Sequence, residues 1–498
     1  MSVYTPDWVK EAVFYQIFPD RFARTTQSNL LTPAMGVPLE SWESPPTNQG
    51  YKGGDLWGVI EKLDYLQDLG VTALYLNPIF QSACNHRYHT HDYYNVDPLL
   101  GGNLAFRALL DAAHGKGIKV VLDGVFNHAS RGFFFFNDIL ENGPHSPWVD
   151  WFKVTGWPLS AYDGSFPANY ESWVGNRSLP QFNHANPLVR EYIMQVAEFW
   201  LCFGIDGWRL DVPNEVKVPG FWQEFRDRLK KIDPETYIVG EIWEDARPWL
   251  DGTQFDGVMN YLFTEAAIAF AVGEEVVPEH VAVPSYKPTP AMDATTYSQR
   301  IDEVLGLYDW NIQLTQLNLL ASHDTARLFT IAGGETDQPG AIAAATDSVV
   351  LSTLLLMTFP GSPCIYYGDE VGLGGAMDPD CRRVMPPEAE WKQDILQAHK
   401  ALIQLRHGHP ALQKGRYKTV LTQGQVYGFL RQLDEPAQTI LVVVNTGKSA
   451  YTGRFSLDHG DTYTNAIAKY GAGSVELNDN ALALTLPPRS GLVVELLP

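Results

Sequence analysis

Asp211 and Glu241 each close a short apolar run, GIDGWRLDV around the first and YIVGEIW around the second. Side chains in a strand alternate faces, so Arg209 and Asp211 point one way while Trp208 and Leu210 point the other. A guanidinium two residues before a carboxylate favours the ionised acid and lowers its pKa, which suits a carboxylate serving as an anionic nucleophile. A structural ion pair is the alternative use of the same two residues. Glu241 tips the balance toward chemistry, because it takes the corresponding position on the next run. His128 follows IKVVLDGVFN, and His323 and Asp324 follow QLNLLAS.

Three carboxylates carried by separate strands to one rim repel one another, which raises at least one pKa and prepares a proton donor near neutral pH. Two carboxyls about 5–5.5 Å apart suit retaining glycoside hydrolysis, one as nucleophile and one as acid/base. Metal binding is the rival use of clustered acids, but no accompanying ligand spacing favours it. The run His86-x-x-His89-x-His91 invites a zinc reading. With no acidic or thiol ligand read beside it, sugar contact or loop packing is the preferred use, and no metal ligand is assigned.

Positioning such groups requires a repeating frame, and the chain has one. Apolar strands alternate with amphipathic helices: AVFYQIF, VTALYLNP, IKVVLDGVFN, Ile205 to Val212, Tyr237 to Trp243, FDGVMNY, QLNLLAS and SPCIYYGDE are the strands. GVIEKLDYLQDLG reads as a single helix with Ile60, Leu63, Leu66 and Leu69 on one stripe and Gly70 as its stop. Eight such units predict an α/β fold, a closed (β/α)8 TIM barrel spanning 1–128 and 186–410. A stretch rich in Gly, Pro, Trp and Phe at 129–185 breaks the rhythm and reads as a loop-rich insertion after strand three. A Pro-rich excursion follows around Val277 to Pro290. From 411 to 498, VYGFLRQL, TILVVVN and LALTLPP predict an antiparallel β-sandwich. In barrels of this kind chemistry sits at the carboxyl ends of the strands, where the candidate residues fall.

Composition narrows the partners. Against 36 Lys and Arg stand 58 Asp and Glu, a net charge of −22, which argues against nucleic acid or an anionic membrane. Fourteen Trp are available to stack on sugar rings, although most belong to the core. Cys84, Cys202, Cys364 and Cys381 lack paired spacing and read as buried free thiols. The start of the chain has no basic segment followed by an apolar one, and VVLSTLLLMTF is too short to span a bilayer. The expected location is cytoplasmic.

DGVFNH, GWRLDVPNE, GEIW and LLASHD occur in that order and resemble the four principal motifs of the α-amylase family. DVPNE and LPQFN (179–183) are similar to segments of its neopullulanase, cyclomaltodextrinase and maltogenic amylase branch. That resemblance implies hydrolysis of α-1,4 and often α-1,6 linkages in malto-oligosaccharides, cyclodextrins, starch or pullulan, with debranching left open. It implies Asp211 as nucleophile, Glu241 as general acid/base, and Asp324 as a group that binds sugar hydroxyls and supports distortion. Arg209, His128 and His323 would hold the sugar at the cleavage point, Tyr88 would stack on its ring, and His86 would lie close by. Asp378 and Arg382 would bracket the next sugar, with a plain ion pair as the other reading. Trp243, Asn214 and Glu215 would face the acceptor side, and Asp123 would be structural, paired with Arg209.

Departures from the family pattern add expectations. Relatives carry an N-terminal β-sandwich domain that builds their dimer, whereas here the barrel starts almost at once. The expected state is a monomer, or a homodimer through a contact that does not use an N-terminal domain, with a cleft open to branched glucans. ARTTQSNLLTP has no carboxylate where relatives hold calcium, although GGD (53–55) remains. No cofactor is required on this reading, and a weak calcium position at Asn127 stays open. Pro213 replaces the usual Ala and stiffens the approach to Asn214 and Glu215. A transglycosylase acting on α-glucans is the nearest alternative, and a non-catalytic glucan-binding protein the more distant one.

Overall fold

The computed structural model describes residues 3–27, 37–281, 289–457, 463–478 and 481–498. Eight parallel strands form its centre: β1 (Phe14–Ile17), β2 (Ala73–Leu76), β3 (Lys119–Gly124), β4 (Gly207–Leu210), β5 (Tyr237–Gly240), β6 (Gly257–Val258), β7 (Leu317–Leu319) and β8 (Ser362–Tyr366). Their order is β6-β5-β4-β3-β2-β1-β8-β7. The ring closes between β6 and β7 through one parallel bridge, Met259 to Leu317, with Asn260 N donating to Leu317 O at 2.9 Å. The side chain of Gln316 helps at this seam by accepting from Val258 N at 3.1 Å. Apart from Lys119 at the start of β3, every strand from β1 to β8 is buried along its length, as the mainly apolar strands of a parallel barrel require.

Several strands are shorter than the apolar pattern suggests. The run Ile205 to Val212 is extended only as far as Leu210, and Val212 turns into the left-handed region at φ 36. That turn places Asp211 at the rim instead of inside the sheet. Strand β6 keeps two residues of FDGVMNY, since its far edge meets little more than the seam. The helix read across residues 58–70 is two helices, Leu56–Glu61 and Leu63–Leu69, broken at Lys62. Gly70 ends the second at φ 94 with its N–H bonded back to Leu66 and Gln67 carbonyls, a conformation only glycine adopts freely. Leu63, Leu66 and Leu69 are buried and Ile60 is half-buried.

Between β2 and the next helix the chain forms a small hairpin, Phe80–Ser82 against Thr90–Val96. Residues 129–185 hold one helix, Phe134–Asn142, short 3-10 turns, and isolated bridges that tie His128 to Gln181 and Phe152 to Phe182. Helix Pro339–Thr358 is long and apolar enough to cross a membrane, but 56% of that window is buried within the protein. The C-terminal part has a five-stranded and a three-stranded antiparallel sheet. Leu441, Val443 and Val494 of the first share an apolar layer with Leu482, Leu484 and Leu486 of the second.

The four cysteines are free, but they are not uniformly buried. Cys364 and Cys381 are enclosed, Cys84 is half-buried and Cys202 faces solvent on its helix. Part of the Pro-rich excursion (282–288) and most of the calcium-poor segment (28–33) lie outside the described residues. Asp55, which the GGD motif supplies, caps helix Leu56–Glu61 by accepting from Gly58 N at 2.7 Å. Asn127 Oδ1 accepts from Gln181 at 2.8 Å.

Candidate active site

The loops that leave β2, β3, β4, β5, β7 and β8 enclose a cleft of about 780 Å³. Asp211, Glu241 and Asp324 face it together with His86, Tyr88, His128, Asn214, Glu215, Trp243, His323, Asp378 and Arg382. Arg209 lies beneath. Its fully buried guanidinium meets Asp123 at 2.9 Å, Asp211 at 3.1 Å and Glu241 at 2.8 Å. It therefore does not reach a sugar in the cleft, contrary to the role implied by resemblance, because one cation is held among three acids. Asp123 stays below with it and also accepts from Tyr75 (2.7 Å) and Tyr88 (2.8 Å).

A second network fixes the far side. Tyr88 Oη is 2.6 Å from His323 Nε2, and the rings lie parallel at 5.3 Å. Gln16 donates to Asn77 (2.9 Å) and meets His323 Nδ1 (2.9 Å), while Asn77 donates to Tyr88 Oη (3.1 Å). Asp324 sits 3.0 Å from His323 Nε2 and 3.3 Å from Arg382, whose other nitrogen holds Asp378 at 3.0 Å. Arg87 makes this side rigid. It adopts φ 58 and pairs with Asp97 at 3.0 Å, so that its neighbours His86 and Tyr88 are presented to the cleft.

Two acids from adjacent strands, a third opposite them and an aromatic platform form an arrangement able to cleave a glycosidic bond. The family model described as "Alpha amylase, catalytic domain" matches residues 16–400. The chain belongs to the alpha-amylase family. It is an alpha-amylase family glycoside hydrolase. It is 40% identical over 447 residues to a cyclomaltodextrinase of Geobacillus thermopakistaniensis, covering 89% of this chain and 70% of that one. With neopullulanase 2 of Thermoactinomyces vulgaris it shares 40% identity over 98% of this chain and 78% of the relative. Among solved structures, the debranching enzyme of Nostoc punctiforme is 59% identical, with a TM-score of 0.90 over 99% of this chain and 100% of the other.

Within this alpha-amylase family hydrolase, burial pushes the Asp211 carboxyl well above the ordinary range, and the neighbouring Glu241 charge pushes it further. The expectation that Arg209 would lower it is overturned, because burial outweighs the guanidinium. Glu241 is raised as well, by burial opposed by Arg209 and reinforced by Asp324. Burial also keeps His128 neutral, its pKa drawn down to about 3, and holds His323 well below its usual value.

Several cleft residues were not legible beforehand. Trp173, which stacks on His128 at 5.5 Å, and Asn176 come from the insertion, where no periodicity singles them out. Trp249 and Met377 sit in loops of ordinary composition. Trp243 was legible, but not its support: it stacks on buried Tyr261 at 3.5 Å and 7°.

Proposed function

We propose that this α-glucan hydrolase acts with retention and opens α-1,6 branch points as well as α-1,4 links. The observation that carries the linkage is the 59% identity, over nearly the whole of both chains, to a protein named a debranching enzyme, against 40% to the cyclomaltodextrinase and neopullulanase. A 33% identical neighbour, from Arthrobacter globiformis, is named a cyclic α-maltosyl-(1→6)-maltose hydrolase.

On this reading Asp211 attacks the anomeric carbon while Glu241 gives its proton to the departing glycosidic oxygen. Glu241 then takes a proton from water, which releases the sugar from Asp211 with its original configuration. Burial raises both carboxyls, Glu241's charge adding to it at Asp211 and Asp324's at Glu241, so the cluster keeps a proton where free carboxyls have lost theirs, and the reaction uses it from Glu241 with Asp211 as the anion. Arg209 positions both from below. Tyr88 stacks on the sugar at the cleavage point, with His86, His128 and His323 around it and Asp324 binding its hydroxyls. Asp378 and Arg382 hold the next sugar, and Trp243, Asn214 and Glu215 meet the leaving chain. No cofactor enters these steps. A cytoplasmic location is supported by a 38% identical relative named an intracellular maltogenic amylase, from Bacillus subtilis.

The test is product analysis from pullulan and a branched oligosaccharide, with azide added to variants. Both linkages should open, and product chromatography at high substrate reads out transfer. Glu241→Gln should lower kcat on maltoheptaose by about 10⁴-fold, yet retain the first step on an aryl glycoside whose leaving group needs no proton. Azide should yield a retained glycosyl azide with Glu241→Ala and an inverted one with Asp211→Ala. Intact branch points would remove the linkage proposal, and swapped azide products would reverse the two roles.

A further inference from the structure

The hairpin turn that carries Tyr88 holds three metal-ligand side chains together. Cys84 Sγ stands 3.5 Å from His86 Nδ1, and the ligand atoms of Cys84, His86 and His89 all lie within 4.8 Å of one another. The zinc reading of the sequence is corrected in its membership. The thiol it lacked stands two residues before His86, and His91 turns away to pack against Gly132. Bond lengths of ~2.3 Å to sulfur and ~2.1 Å to nitrogen at a tetrahedral angle put ligand atoms roughly 3.4–3.6 Å apart. The Cys84–His86 spacing already meets that value, and rotation of the His89 ring brings in the third.

We propose that Cys84, His86 and His89 form an inhibitory site for a thiophilic divalent cation such as zinc, with its fourth position open to the cleft. His86 and His89 line that cleft and Cys84 does not, so an ion would be gripped from behind and would face the sugar. Binding releases the Cys84 proton and takes His86 from its bond with Tyr88 N (3.2 Å). The ion would then stand in the cleft wall beside Tyr88, with its charge and its open position where the sugar is proposed to lie, which makes it an inhibitor and not a structural support. The three residues occupy the turn between Ser82 and Thr90, where Ser82 Oγ bonds His89 O at 2.7 Å and fixes the loop's closure. Burial holds both imidazoles neutral, His89 down to about 4, which is the form that ligates.

The inhibition rests on the hydrolytic reading of the cleft, whereas metal ligation does not, and the experiment separates them. Cobalt(II) added to the EDTA-treated full chain should give a near-ultraviolet thiolate-to-metal band, displaced by zinc and absent in Cys84→Ser. Zinc should suppress maltoheptaose hydrolysis by at least about tenfold, with EDTA restoring it. Cys84→Ser should keep its zinc-free rate within about twofold and need about tenfold more zinc for the same loss. A missing cobalt band, or zinc inhibition unchanged in Cys84→Ser, would overturn the proposal. A protein that gives the band but hydrolyses no glucan would instead count against the reaction proposed above.

Discussion

The two halves of the cleft are built differently. On the side of Tyr88 and His323, almost every polar atom is tied to another buried group, from Gln16 on β1 through Asn77 after β2 to Arg382 after β8. On the side of Trp243, Asn214 and Glu215, the supports are fewer: a ring stacked on Tyr261, and a glutamate 3.7 Å from exposed Lys217. A network of this kind holds a sugar ring within fractions of an ångström, which the reacting bond demands. The looser half can accept chains that arrive from different hydroxyls. On the proposed reading, selectivity for linkage resides in the half that contributes least to rigidity.

Removing a bond from the rigid half should have the largest effect. Tyr88→Phe deletes contacts to Asp123, His323 and Asn77 while leaving the ring, and kcat/KM should fall by about 100-fold on every substrate alike, with unequal losses between linkages dissolving the contrast. Trp243→Ala should matter less overall but selectively, changing the ratio of pullulan to maltoheptaose turnover by about tenfold. An unchanged ratio would place linkage choice elsewhere. The smallest effect concerns pH and the histidines of the cleft. His128 is neutral when folded, with a pKa of about 3, so the unfolded chain takes up a proton that the native one refuses. Stability from this group is complete above the unfolded value of about 6.5 and declines as pH falls toward 3. Denaturation midpoints should drop on acidification, and His128→Gln should flatten that slope by about 2 kcal/mol between pH 7 and 5.

How far the sequence reached depended on periodicity. All eight strands were visible because each is a short, mainly apolar run between helical patterns, and Asp211, Glu241 and Asp324 were visible because each lies at the end of such a run or just after it. Strand ends were misjudged where the chain turns without a glycine, as at Val212, since a β-branched residue at positive φ leaves no mark in composition. Trp173 could not be singled out, because a stretch without period offers no face to assign. Arg209 was placed on the correct face, but its depth depends on the strand's position inside the ring, which alternation alone does not give. The pKa of Asp211 was misjudged for the same reason: burial belongs to the assembled barrel, not to a pair of residues.

The seam between β6 and β7 has a consequence for the cleft above it. A side chain at Gly257 would put its Cβ 2.3 Å from Thr315 O, so the backbones are pressed together there without the ladder of bonds that binds other neighbours. Tyr261, the floor under Trp243, begins the helix immediately after this join. Amide protons should exchange with solvent soonest along that junction, and whatever breathing the ring undergoes reaches Trp243 through Tyr261 and Asp324 through β7, whereas Asp211, on β4, stands away from it.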